Sequence, residues 1–128
     1  MDQFRNITID STQLVAAVIK ARVISPTGAL MINNSTLAAG SLLRLYAEGS
    51  NGTVAFSGTV NLTGKQIDIA GKTVLVQSGG KVLTSPNTTV YADTHDYNVG
   101  NFGTIKNAAT NSNISSSQQK SFAARPSF

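Results

Sequence analysis

His95, the only histidine of the chain, lies between two carboxylates in the stretch YADTHDYN. Asp93, His95 and Asp96 offer the imidazole and carboxylate ligands that divalent transition metals take in proteins. Three ligands this close in sequence converge on one ion only in a tight loop, and there is no second histidine for a zinc site. A solvated turn is therefore the favoured interpretation, and we predict no metal, no cofactor and no catalytic residue.

Further candidate residues lie within a short motif that the sequence repeats as LLRLYAEG, QIDIAGKT and TTVYADT. Arg44 and Asp68 hold the same place in the first two copies, so we expect an exposed ion pair between neighbouring repeats. Such a pair contributes about 0–1 kcal/mol, which favours a structural role over catalysis. Tyr46 and Tyr91 also share a place, and on an exposed face they would stack on sugar rings. A carbohydrate-binding or carbohydrate-cleaving β-helix is therefore an alternative function.

The composition argues against several other classes of function. Charged residues make up 12% of the 128 residues, about half of the usual share. The net charge of +4 comes mostly from Lys106, Lys120 and Arg125, and three scattered cations are a weak footprint for nucleic acid. There is no cysteine for a disulfide or a thiolate metal site, and no apolar run approaches the length of a membrane span. We therefore predict no nucleic-acid partner and no membrane insertion.

The repeated motif alternates apolar and polar residues, which places the apolar side chains on one face of a strand. The stretch IKARVIS is an earlier copy of the motif, and equivalent residues of these four successive copies are 24, 24 and 21 positions apart. Turn residues such as SPTG, EGSNG and SPN separate the copies. A repeat of about 20–25 residues with several short strands predicts a β-solenoid, in which each repeat is one coil. The columns expected to stack in the core contain Leu37, Leu43, Leu45, Leu62, Ile67, Ile69, Leu83 and Val90.

We predict an all-β chain whose residues 18–100 form a short parallel β-solenoid of about four coils. Residues 1–17 are expected to be an N-terminal capping segment, because an open first coil needs protection. A helix capped by Asp10 or Ser11 is the alternative for part of this region. Residues 101–128 break the repeat and are predicted to be an irregular, extended polar tail. A β-sandwich or small barrel is the alternative fold, since it also has short strands and frequent turns.

The stretch VIKARVISPTGALMINNSTLAAGSLLRLYAEG, with IDIAGKTVLVQSGG after it, resembles the solenoid repeats of filamentous-haemagglutinin-like bacterial surface and secreted proteins. The resemblance covers roughly residues 17–100 and concerns the type and spacing of the repeats. It implies a right-handed parallel β-helix and a protein exported from a bacterial cell, often with an adhesive role. It also implies that the chain is a C-terminal segment of a longer protein of this kind, or a small relative that stands alone.

Apolar anchors bracket the polar middle of the tail, NAATNSNISSSQQK. We expect Phe102, Ile105, Phe122 and Phe128 to be assembly contacts, since they have no column to join and their apolar surface must be buried elsewhere. A tail laid along a neighbouring subunit would link copies of the chain. A tail that folds back as a cap on its own rod is the alternative.

These observations together predict a structural, non-enzymatic subunit of an extracellular or cell-surface filament, layer or adhesive fibre. Its main partner would be further copies of itself, because unpaired coil edges favour the addition of strands. Glycans would be a further partner under the carbohydrate-binding alternative. A cytoplasmic β-helical cytoskeletal polymer is a third hypothesis, and it needs no export.

Overall fold

The computed structural model describes the backbone of residues 2–3, 5–97, 102–107, 110–113 and 116–128, and the side chains of residues 5–97 and 117–128. Short strands dominate this part of the chain, and its helical elements are two 3₁₀ turns, Ser116–Gln118 and Phe122–Ala124. The strands are β1 (Asp2–Gln3), β2 (Ile7–Asp10), β3 (Gln13–Val23), β4 (Ala29–Asn33), β5 (Thr36–Ala47), β6 (Thr53–Ser57), β7 (Thr59–Thr63), β8 (Gln66–Gly71), β9 (Thr73–Val76), β10 (Lys81–Thr84), β11 (Thr88–Tyr91), β12 (Thr94–Asp96), β13 (Phe102–Asn107), β14 (Thr110–Asn113) and β15 (Gln119–Lys120).

The strands stack into three parallel ladders. Ladder A contains the first halves of β3 and β5, then β7, β10 and β13. Ladder B contains the second halves of β3 and β5, then β8, β11 and β15. Ladder C contains β2, β4, β6, β9 and β12. The chain is therefore a β-solenoid of about four turns, which confirms the predicted fold class.

The columns read from the repeat are the columns of the core. Backbone pairing places Ile19 beside Leu43, and Leu43 beside Ile67. Burying one such side chain contributes about 1.5–3 kcal/mol, so the stacked columns hold successive coils together. A second buried column contains Leu37 and Leu62. A third buried column contains Ala21, Leu45, Ile69 and Val90.

The predicted place of Leu83 in the core is wrong by one residue. Val82 pairs with Val60 and is fully buried, whereas Leu83 is half-buried on the other face of β10. Thr84 is also fully buried, and its hydroxyl shares a hydrogen bond with that of Thr88. Adjacent apolar residues fit either face of a strand, so the pattern alone does not determine which one points inward. Two hydroxyls that satisfy each other remove the usual penalty for burying Thr.

A residue with left-handed backbone conformation marks the corner between ladders C and A. Ser11 and Asn34 have φ of 49° and 48°, and Gly58 has φ of 62° at the same corner one coil later. The amides of Ser11 and Asn34 donate to the carbonyl oxygens of Asn33 and Ser57 at 3.0 Å and 3.1 Å. A Cβ at residue 58 would lie 1.9 Å from Asn34 Oδ1, so only glycine fits there.

The first coil starts earlier than predicted. β2 pairs with β4, and β3 begins at Gln13 and pairs with β5. Residues 7–17 therefore belong to the solenoid itself rather than to a separate cap over residues 1–17. The alternative helix does not form, because Gln13–Val23 is a strand whose backbone pairs with β5.

The parallel stack also continues past residue 100, where the repeat in the sequence stops. β13 pairs with β10, with Phe102 beside Val82, and β14 folds back on β13 as an antiparallel hairpin. β15 then joins ladder B, with Gln119 beside Val90. The side chains of Phe102 and Ile105 lie outside the described residues, so their predicted assembly contacts stay predictions.

Candidate functional site

A segment that we call the strap, residues 117–128, crosses the outer face of ladder B. It begins at the last coil, where Lys120 pairs with Tyr91. It ends at the first coil, where Lys20 on β3 donates a hydrogen bond to the carbonyl oxygen of Phe128. The strap therefore covers the outward side chains of ladder B, where the sequence placed the candidate ligand-binding residues.

The two tyrosines of the predicted glycan site are buried under the strap. Tyr46 and Tyr91 each pair with Ala70, so they share an outward column as predicted. Their exposed fractions are 0% and 8%, because Phe122 and Phe128 pack against them. The prediction of an exposed surface for sugar rings is therefore wrong while the strap is in place. The tail contains the apolar surface that covers this column, and burial of each aromatic ring stabilises that arrangement.

Tyr46 contacts the strap through both its ring and its hydroxyl. The hydroxyl donates to the carbonyl oxygen of Pro126 at 2.9 Å. The ring centroid lies 5.3 Å from that of Phe128 with 57° between the planes, and such pairs contribute about 0.5–1.5 kcal/mol beyond burial. Burial, and then the nearby Asp68 carboxylate, raises the pKa of Tyr46 well above its usual range. The phenol thus stays protonated and able to donate.

The predicted ion pair between neighbouring coils is present, but it is buried rather than exposed. Arg44 Nε donates to Asp68 Oδ2 at 2.9 Å, and the two side chains are 14% and 3% exposed. Gln66 Nε2 donates to the same carboxylate oxygen at 2.9 Å. Removing a carboxylate from water costs several kcal/mol unless it is paired and hydrogen-bonded. The buried Asp68 carboxylate therefore depends on Arg44 far more than an exposed carboxylate would depend on its partner.

Three cations of the first two coils converge on the end of the strap. Lys20 Nζ lies 2.6 Å from the carbonyl oxygen of Phe128, and Arg44 Nη1 donates to the carbonyl oxygens of Ser127 at 2.7 Å and Phe128 at 3.2 Å. Lys20 and the guanidinium of Arg22 lie 5.4 Å and 4.7 Å from the centroid of the Phe128 ring. Each cation–π contact contributes about 0.5–1 kcal/mol at such sites. We call these three cations together with Tyr46 the Phe128 socket.

An ion pair between Arg125 and Glu48 holds the middle of the strap. Arg125 Nε donates to Glu48 Oε2 at 3.1 Å, and Arg22 Nη1 lies 3.7 Å from Glu48 Oε1. The guanidinium of Arg125 also lies 4.0 Å from the centroid of the Phe122 ring and donates to the Phe122 carbonyl oxygen at 3.2 Å. These side chains are partly exposed, so the pair contributes more to specificity than to stability.

Asp93, one of the potential metal ligands, binds the strap at Phe122. Lys72 Nζ lies 2.7 Å from Asp93 Oδ2, and the backbone amide of Phe122 donates to Oδ1 at 3.2 Å. These hydrogen bonds, the one from Lys72 first, lower the pKa of Asp93. The carboxylate therefore stays ionised and holds the strap to the last coil.

His95 lies on β12 rather than in the solvated turn that the sequence indicated. It pairs with Val74 of the coil before it, and its Nε2 lies 3.4 Å from the carbonyl oxygen of Val90. Its ring stands edge-on to Tyr97 at 6.0 Å. The part of the chain with described side chains contains no group of three or more residues that could hold a metal ion.

The face under the strap contacts the strap in three chemically different ways. It offers aromatic surface, hydrogen-bond donors for peptide carbonyl oxygens, and a carboxylate for a basic side chain. Sequence reasoning found Arg44 and Tyr46 but missed Lys20, Arg22 and Glu48. The register contained a signal for the first two, since Lys20 pairs with Arg44 and Arg22 pairs with Tyr46.

Comparisons with protein-family models, curated proteins and solved structures found no match to this chain. No helix in the described part of the chain is long and apolar enough to cross a membrane.

Proposed function

We propose that this chain is a structural, non-enzymatic β-solenoid subunit of an extracellular or cell-surface filament, layer or adhesive fibre. The observation that carries the proposal is the edge of the first coil. β3 pairs with β5 on one side, and on its other side the described pairing is with β1, beside Arg22 and Val23. Residues 13–19 have no neighbouring strand there among the described residues. Open strand edges of this kind template the addition of further strands.

The side chains at this edge favour a partner. Val15 and Val18 are 82% and 50% exposed, and Leu14 is also exposed. Leu14 heads the column that continues through Leu37 and Leu62, both of which are fully buried inside the stack. A coil added above β3 would bury Leu14 as the lower coils bury Leu37, which contributes about 1.5–3 kcal/mol per side chain.

The resemblance of the repeats to filamentous-haemagglutinin-like proteins supports the extracellular or cell-surface location. A cytoplasmic polymer would assemble through the same edge, so immunolabelling of the source cells separates the two hypotheses. The carbohydrate-binding alternative rested on the exposure of Tyr46 and Tyr91. Both side chains are buried, which argues against this alternative.

Sedimentation and negative-stain microscopy of the wild type and Val15→Lys test the proposal. Thr63→Lys is the matched control, because Thr63 is exposed in the same outward column, beside Ala38, which pairs with Val15. The wild type and Thr63→Lys should form assemblies that grow with concentration, and Val15→Lys should form fewer because a charge blocks edge pairing. A strictly monomeric wild type at high concentration would contradict the proposal, as would Val15→Lys assembling like the control.

A further inference from the structure

The end of the strap is held like a bound peptide rather than like a strand of the sheet. After the two-residue pairing of β15, residues 121–128 belong to none of the described strands. Their contacts with ladder B run through side chains and carbonyl oxygens: Tyr46 with Pro126, Arg44 with Ser127, and Lys20 with Phe128. A segment held in this way is separable from the chain that carries it.

The contacts on this face also match the sequence pattern of the segment. An aromatic ring at each end and a basic residue between them meet the tyrosine column, the Phe128 socket and Glu48. Cations face the carbonyl oxygens at one end, and a carboxylate faces the guanidinium of Arg125. Complementary charges fix register and orientation in peptide recognition.

We propose that the outer face of ladder B is a recognition groove for the segment FAARPSF, and that in assemblies it takes this segment from a second copy of the chain. The groove is filled in cis in the isolated chain. Exchange between two copies keeps every contact named above, because all of them lie between the groove and the segment itself. Protein concentration and the reach of the connecting chain then determine which arrangement is populated.

The stretch of chain between β11 and β15 is longer than the one between β8 and β11. Ile69 on β8 pairs with Val90, 21 positions later, whereas Val90 on β11 pairs with Gln119 on β15, 29 positions later. That stretch contains β12 and the β13–β14 hairpin. The inference goes beyond the proposed function, since it concerns a lateral contact and not the open edge of β3. Loss of groove binding would therefore leave edge-driven assembly intact, and the reverse also holds.

The first test is binding of a labelled peptide with the sequence of residues 117–128 to the full-length chain. The double variant Phe122→Ala/Phe128→Ala weakens the strap and leaves the groove intact. This variant should bind the peptide at least about tenfold more tightly than the wild type, whose own strap competes at high effective concentration. A peptide carrying Phe128→Ala should bind about tenfold more weakly than the native peptide, since it lacks one buried aromatic ring.

Circular dichroism and cooperative melting establish that the double variant is folded. Arg125→Glu, which changes a partly exposed side chain, serves as a second strap-weakened chain if the first is unfolded. A folded strap-weakened chain that fails to bind the peptide would overturn the proposal. Equal binding by wild type and variant, or equal binding of both peptides, would overturn it as well.

The second test asks for exchange directly. Glu48→Arg and Arg125→Glu each place like charges together within one chain, next to Arg22 in the first case. Mixed, the two variants can restore an opposite-charge pair when the strap of the second binds the groove of the first. We expect a heterodimer on size exclusion that neither variant forms alone, and the double variant, which again carries an opposite-charge pair, should behave like the wild type. A mixture that elutes as the sum of its components would refute exchange.

Discussion

Replacing Arg44 with alanine should destabilise the chain much more than a surface ion pair would predict. The Asp68 carboxylate is 3% exposed, and Arg44→Ala removes the cation that pairs with it, while Gln66 Nε2 still donates to it. Breaking a buried pair from one side costs about 3–5 kcal/mol, whereas an exposed pair contributes about 0–1 kcal/mol. We expect a loss near the lower end of the first range, because Arg44 itself is partly exposed.

The same reasoning predicts an asymmetry between the two partners. Asp68→Ala removes the buried charge together with its need for a partner. Arg44 keeps acceptors in the carbonyl oxygens of Ser127 and Phe128 and has some access to water. The loss should then be about 1–3 kcal/mol, the typical range for deleting a hydrogen-bonded buried group. The double variant should lose less than the two single variants together, since the groups belong to one network.

Equilibrium denaturation in urea, followed by circular dichroism, measures these differences. Lys81→Ala is the control, because it removes the same charge from an exposed side chain on β10; its effect should stay within about 0.5 kcal/mol. If Arg44→Ala does not fold, Arg44→Lys keeps the charge and loses the planar donor geometry, so it should show a smaller loss of the same origin.

The reasoning fails if Arg44→Ala and Lys81→Ala are equally stable. It also fails if Asp68→Ala is the more damaging change, because the cost would then arise from the loss of Asp68 packing and not from an unpaired carboxylate. Strictly additive single and double variants would show that the two residues do not interact across the coils.

Three further predictions follow from burial and from the pKa shifts. Leu62→Ala should cost about 2–5 kcal/mol and Leu83→Ala about 1 kcal/mol or less, because only Leu62 is fully buried; equal losses in urea denaturation would contradict the revised register. The lowered pKa of Asp93 means that its contribution to stability is complete above the ordinary value of 3.8 and is lost as pH falls through the lower folded value. Asp93→Asn should therefore flatten the acid branch of melting temperature against pH, and an unchanged branch would count against the anchor. Burial raises the pKa of all three tyrosines, Tyr46, Tyr91 and Tyr97. The folded chain should therefore show little phenolate absorbance at pH 10.0, the ordinary tyrosine pKa. Its stability should fall as pH rises above that value, because the tyrosines of the unfolded chain ionise first. Ordinary titration of Tyr46 and Tyr91 in the folded chain would show that the strap does not cover them.

The sequence predicted the core well because a solenoid repeats one set of local requirements in every coil. Leu43 and Ile67 share a column in the sequence and a backbone pair in the structure. The prediction failed where neighbouring residues satisfied the pattern equally well. At β10, Val82 and Leu83 are both apolar, and the choice between them depends on Thr84 meeting Thr88 across a corner, which no count of apolar residues reveals.

The strap shows why the candidate site could not be predicted in the same way. Its polar neighbours in sequence indicate an irregular tail, and its anchors Phe122 and Phe128 match no column of the repeat. The partners that order it are supplied by other coils, since Tyr46 lies in the second coil and Lys20 in the first. An outward column with Tyr46 and Tyr91 was nevertheless visible in the sequence, and so was a tail with aromatic residues on both sides of an arginine. Because the two patterns are complementary in chemistry, each could have been used to assign the other. The sequence leaves open whether the groove and the strap that fills it belong to the same copy, and this is the question that the charge-swap mixture answers.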